Sequence, residues 1–350
     1  MDRAPVDPTM LNFPQIVADL IFDHCDYPAI ANLRKACPKV RDHLDVNKRQ
    51  FKILSLTIRQ REDRVILECL LAETPKKVVV EYRADPSGCL LLFNNNQGQD
   101  VQKMIPGRTF TDIFFNDFLH LLEHGNNFVL QEFNLDFDSI DMTTSTASRD
   151  RSFREFSERL EVILAPEPHI KTRDFILRIG TVDHAMNFLP CVDADHLKLI
   201  HFKPMVGRLD GSVQQFHNFD NVAHLEQWRR AEFVEMPNID SIGDVEHFLH
   251  FKNIDISWEN LDIESMERMM RSIITSGDYS RSFNVARDMM YALFNVRRYG
   301  EPYGNKNFFC TTESTHILEV ESTWQSFTMA LVSRELIPRD ARIVNLDHLA

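Results

Sequence analysis

The chain has 350 residues, 43% hydrophobic and 26% charged, a balance that argues against wholesale disorder and against a membrane protein. At roughly 150 residues per domain there is room for about two domains. The formal charge of −13 argues against nucleic acid as a partner, because phosphate neutralisation needs a surplus of Lys and Arg.

Residues 1–50 hold seven Lys/Arg and seven Asp/Glu, so the remaining chain carries the whole deficit and would steer a basic partner toward itself. Six scattered cysteines form no CxxC pair and no compact framework, which reads as reduced thiols used as small core residues. No apolar run approaches 18 residues, no Asn-x-Ser/Thr sequon occurs, and MDRAPVDPTM lacks the basic and apolar run expected of a signal peptide. Cytosol or nucleus is the expected compartment.

Taken in chain order, residues 11–48 read as three short helices, each opened by a proline at Pro14, Pro28 or Pro38. Seven of the ten residues from Phe13 to Phe22 are apolar, too many for one stripe facing one core. A unit of about 40 residues cannot bury such a surface alone, so the excess should pack on the following domain or on another protein.

Beyond residue 50 the pattern changes to alternating strands and helices. Phe51 to Ile58 suggests a strand and Val65 to Leu71 a helix; VVVEYRA and CLLLFN form a hairpin through Asp85-Pro86-Ser87-Gly88. DIFFNDFLHLLEHG reads as a helix, FVLQEFNLDFD as extended, FREFSERLEVIL as a helix and RDFILRIG as a strand. The alternation runs on through TVDHAMNFLP, HLKLIHFK, LEQWRRA, EFVEM, VEHFLHF, NIDIS and IESMERMMRSIITSG. Polar residues 143–152 read as a surface loop, and HILEVES with SFTMALV as a pair of capping strands.

Single helices between strands imply parallel crossovers, and no glycine-rich phosphate loop follows any strand. The expected fold class is therefore mixed α/β: an N-terminal three-helix unit, then a degenerate leucine-rich-repeat-like α/β solenoid with a largely parallel sheet.

Chemical motifs are sparse. His120-Leu-Leu-Glu123-His124 satisfies the H-x-x-E-H zinc-protease pattern, but Gly125 ends the helix at once, and dipole-complementing histidines account for it better. Asp136, Asp138 and Asp141 resemble the opening of a calcium loop, yet Ala147 stands where a bidentate acid is required, so a solvated strand end is expected. Arg229-Arg230 and Arg297-Arg298 could read a phosphate or acidic motif, and Trp228 reads as a core residue. Neither a catalytic group nor a cofactor or metal site is expected, and the chain does not read as an enzyme.

Two resemblances give these elements a function. FPQIVADLIFDHCDYPAIANLRKACPKVRDHLD at 13–45 resembles an F-box, which implies binding of a Skp-family adaptor, and through it a cullin, by Phe13, Pro14, Val17, Ile21, Ile30, Leu33, Cys37 and Val40. Phe153–Leu164, Phe188-Leu189-Pro190, Leu197–Ile200, Leu225–Trp228 with Ala231, and His250-Phe251 resemble the FTH domain that accompanies F-boxes in large nematode families. The resemblances imply an F-box at 10–50 and a substrate-recognition domain at 51–350 containing an FTH-like region at about 150–290. The function they imply is that of the substrate receptor of an SCF-type cullin-RING ubiquitin ligase. A ligase-independent interaction scaffold and a zinc hydrolase at His120 and His124 are the alternatives.

Overall fold

The computed structural model describes residues 53–72, 77–94, 100–125, 129–137, 146–165, 170–179, 182–204, 216–217, 220–241, 244–258, 262–286, 306–322 and 326–348. These residues form sixteen strands and six α-helices, a predominantly β structure. The chain divides into one unit of residues 54–68 with 129–350 and a second of residues 1–53 with 69–128, the division passing through β1 (Ile53–Gln60) and β2 (Arg64–Leu71).

The second unit contains the meander β3 (Lys77–Asp85), β4 (Gly88–Asn94) and β5 (Asp100–Pro106), followed by α1 (Phe110–Gly125). Asp85 pairs with Gly88, so Pro86 and Ser87 alone make the β3–β4 turn, and Asp85 accepts the Ser87 amide at 2.9 Å. Gly88 has φ +151°, and a Cβ there would lie 2.2 Å from the Ile105 carbonyl oxygen, so only glycine fits. The helix starts where Thr109 Oγ1 accepts the Asp112 amide at 3.1 Å. Its buried face sets Phe114 edge-on to Tyr82, whose hydroxyl donates to Asp117 at 3.1 Å.

In the larger unit, β6 (Leu130–Asp136), β7 (Thr172–Ile179), β8 (Leu199–Pro204), β10 (Phe233–Ser241), β11 (Asn253–Trp258) and β12 (Ser282–Ala286) lie side by side in parallel, with β1 outside β6. The two-residue β9 (Phe216–His217) pairs with β10 off this path. Beyond β12 the direction changes: β15 (Ser326–Val332), β14 (Ile317–Ser322) and β13 (Lys306–Cys310) follow antiparallel, and β16 (Ile343–Asn345) closes the order.

The apolar core is written in register. Leu56, Phe133, Phe175, Ile200, Val234, Ile254 and Phe283 align across the seven parallel strands, each buried to 2% exposure or less. Helical rings meet this face. Phe202 stacks on Trp228 of α5 (Glu226–Arg230), and Phe137 stacks on Phe188 of α3 (Val182–Phe188) and meets Phe153 of α2 (Thr146–Leu164) edge-on. The short α4 (Asp220–Ala223) precedes α5. Last comes α6 (Ile263–Ser276), capped by Asp262, which accepts the Ser265 amide at 2.6 Å, and ended by Gly277 in the left-handed region at φ 62°. Its fully buried Met266, Met269, Met270, Ile273 and Ile274 follow helical spacing.

The expected solenoid is overturned. The described residues form a mixed, mostly β arrangement in which the links between neighbouring parallel strands do not repeat one unit. A helix and a 3-10 turn join β7 to β8, whereas among the described residues between β10 and β11 the 3-10 turn Val245–His247 is the only regular structure. Antiparallel neighbours need no crossover, which lets β3–β5 and β13–β15 add strands without helices. The expected three-helix unit at 11–48 lies outside the described residues.

Two local expectations also fail. Val65 to Leu71 is the strand β2, with Val65, Leu67, Cys69 and Leu71 buried at period two, and an apolar run this short carries no decisive helical signal. Residues 146–152 of the expected surface loop belong to α2. β5 carried no apolar alternation and was not foreseen; Val101 and Met104 are exposed on it. The expected strands at HILEVES and SFTMALV form β14 and β15, and they continue the sheet.

One buried polar side chain ties α6 to the sheet. Arg281, 8% exposed, donates to the carbonyls of Phe251 at 3.1 Å, Ser272 at 3.0 Å and Leu249, and lies over the Phe283 ring. Replacing Arg281 with Ala strands these carbonyls without donors. The expected loss is about 2–4 kcal/mol of stability, read as a lowered urea midpoint at unchanged slope.

Candidate recognition surface

Alternation places a second set of side chains on the opposite face of the same parallel strands. One row runs Thr57, Asn134, Ile176, His201, Glu235, Asp255 and Asn284; the preceding row runs Ser55, Glu132, Asp174, Leu199, Phe233, Asn253 and Ser282. Parallel sheets are ordinarily covered by apolar contacts on both faces. Here the second face is polar and part-exposed: the side chains of His201, Asp174 and Glu235 retain 22%, 33% and 42% of their exposure.

At the far end of the strands the surface turns basic. Asp136 is 7% exposed and stands among Arg61 at 3.4 Å and Arg59 and Arg178, each at 3.9 Å; Arg59 also reaches Glu68 at 3.1 Å. The expected solvated strand end at Asp136 is therefore wrong, because three guanidinium groups enclose the carboxylate. Asp138 and Asp141 lie outside the described residues.

Toward the middle the surface is acidic. Glu235 accepts from His201 Nδ1 at 2.8 Å, and Asn284 Nδ2 donates to Asp255 at 3.1 Å. Burial, with Asp255 and Asp174 nearby, raises the Glu235 carboxyl above its usual range, and burial also raises Asp174. Burial lowers the His201 imidazole to about 4, with Lys203 and Arg178 adding to the effect. The neutral ring therefore donates its Nδ1 proton to Glu235, and the contact near neutral pH is a hydrogen bond rather than an ion pair.

Other sequence-derived sites fall elsewhere. His120 lies on the exposed side of α1, and the side chains of Glu123 and His124 lie outside the described residues; among the described residues no group of three His, Cys, Asp or Glu could hold a metal. Arg230 pairs with Asp195 and with Glu226 at 2.6 Å, and Arg229 lies 3.3 Å from His224 Nδ1, so both are engaged at the surface. Arg297 and Arg298, and all of Phe13, Pro14, Val17, Ile21, Ile30, Leu33, Cys37 and Val40, lie outside the described residues. Trp228 is fully buried, as expected, and donates Nε1–H to the His247 carbonyl at 2.9 Å. The polar rows were missed, although NIDIS and LIHFK carry the alternation that marks them.

Comparison with known families adds one decisive observation. An FTH domain is found at residues 154–293. The FTH domain thus runs from within α2 to beyond β12 and holds the central part of the polar rows, from Asp174 to Asn284. Of the residues that carried its resemblance, Phe188, Leu189, Leu197, Ile200, Trp228, Ala231 and Phe251 belong to the core, each 3% exposed or less. No curated protein and no solved structure matches the chain. No helix among the described residues is long and apolar enough to cross a membrane.

The depressed His201 value carries a signed consequence for stability. Between the unfolded value of 6.5 and the folded value of about 4, the unfolded chain binds the extra proton, so stability is complete above 6.5 and falls as pH drops through this window. Asp174 and Glu235, raised in the fold, act in the opposite sense nearer the carboxylate range. His201→Gln is expected to remove up to about 3 kcal/mol of the acid-side loss, measured as the difference between wild-type and variant melting temperatures across that window.

Proposed function

We propose that the chain is the substrate-recognition subunit of an SCF-type cullin-RING ubiquitin ligase. The observation that carries this reading is the FTH domain at 154–293, in a chain whose residues 13–45 resemble an F-box. The F-box-like segment would dock on a Skp-family adaptor through Phe13, Pro14, Val17, Ile21, Ile30, Leu33, Cys37 and Val40. The adaptor would cover the apolar excess of Phe13 to Phe22, and the domain beyond residue 50 would hold a protein substrate.

In this role the chain makes and breaks no bond itself. It raises the effective concentration of substrate lysines near a conjugating enzyme held on the same scaffold. The polar face of the parallel strands supports the reading by offering a surface for recognition, and no catalytic side chain is required.

Co-expression with a Skp-family adaptor tests the assignment. Wild-type chain is expected to co-purify with the adaptor, and Ile21→Asp, which would bury an unpaired charge, to abolish co-purification at a cost of several kcal/mol, roughly. Equal recovery of the adaptor with wild type and variant would remove the assignment.

A further inference from the structure

The middle of the polar face combines two chemistries. Leu199 and Phe233 are register partners on adjacent strands and both remain part-exposed, an apolar pair on a face whose two rows are otherwise polar but for the buried Ile176. Asp174 pairs with Leu199 in the same row, while Glu235 and Asp255 pair with each other in the next. Adjacent strands lie about 5 Å apart, so one ammonium or guanidinium group could bridge the carboxylates of Glu235 and Asp255. Arg178 and Lys203 are register partners beside this area, and the exposed Arg173 pairs with Asp174 at 3.7 Å, a surface contact that a partner's cation can replace. Across the chain the acidic surplus lies beyond residue 50, which draws a cationic partner toward this unit and repels an anionic one.

We propose that this face docks an extended segment of a protein partner that bears lysine or arginine, with an apolar side chain on Leu199 and Phe233 and its cations on Asp174, Glu235 and Asp255. An extended form suits rows of side chains on a sheet face, because alternate side chains of a strand-like segment all point to one side. Burial, and after it the nearby Asp255 and Asp174, raise the Glu235 carboxyl, and a partner's cation would offset the like-charge part of that effect. This inference rests on the substrate-receptor reading for the partner's identity and deepens it by naming the chemistry recognised.

The purified full chain tests it with a fluorescent synthetic peptide that alternates lysine and threonine around a central leucine, followed by anisotropy at about 50 and about 300 mM salt. A matched peptide with glutamate in place of lysine is the second probe. The lysine peptide is expected to bind and the glutamate peptide not to. The triple variant Asp174→Asn, Glu235→Gln, Asp255→Asn is expected to weaken lysine-peptide binding about tenfold or more, at a melting temperature no lower than wild type. A control triple of exposed residues, Glu155→Gln, Glu158→Gln, Glu264→Gln, is expected to change it less than about twofold. Equal weakening by both triples, or no lysine-peptide binding, overturns the docking surface. Adaptor co-purification without peptide binding overturns this inference alone. Peptide binding without adaptor upholds the surface and removes the ligase assignment.

Discussion

Strict alternation along seven parallel strands divides the larger unit's sheet into two faces that cannot exchange roles. A register slip of one residue would put Glu235, Asp255 and Asn284 among the helices and expose Val234, Ile254 and Phe283. Apolar burial on the first face holds the strands in place, and the second face is thereby free to be polar. Helices on one side and part-exposed charge on the other are two consequences of the same period.

That division separates the buried side chains of the FTH region from the polar rows that could recognise a partner, and of the residues that carried the FTH resemblance Leu199 lies on those rows. Phe188, Ile200, Trp228 and Phe251 face inward and build the scaffold. Apart from the buried Thr57 and Ile176, side chains on the polar rows lie outside the core, so they are free to differ in chemistry without altering it. A family resemblance carried by buried residues therefore speaks for the fold and is nearly silent on what is bound.

Buried polar groups join the elements that apolar contacts alone would leave loose. Arg281 supplies three donors to carbonyls on the segment before β11 and on α6, and Asp136 gathers arginines from β1, β7 and the β1–β2 turn. Both work because each charged group is surrounded by complementary atoms, which offsets its desolvation. Neither could be read from spacing, since the partners are distant in sequence.

Much of the element order was legible in the chain. α1, α6 and the strands β6, β7, β8 and β11 follow from apolar period, and the β3–β4 hairpin follows from Asp85-Pro86-Ser87-Gly88, because these signals are local and each is set by backbone geometry. β2 was misread because the seven residues from Val65 to Leu71, apolar but for Glu68, are too short a run to decide the period, and the solenoid was inferred because alternating strands and helices leave pairing direction undetermined. Strand order, the antiparallel turn at β12, the enclosure of Asp136 and the alignment of Leu199, Phe233, Glu235 and Asp255 into one patch arose only from long-range packing. Hydrogen bonds between strands join residues tens of positions apart, and no local pattern encodes which strand becomes whose neighbour.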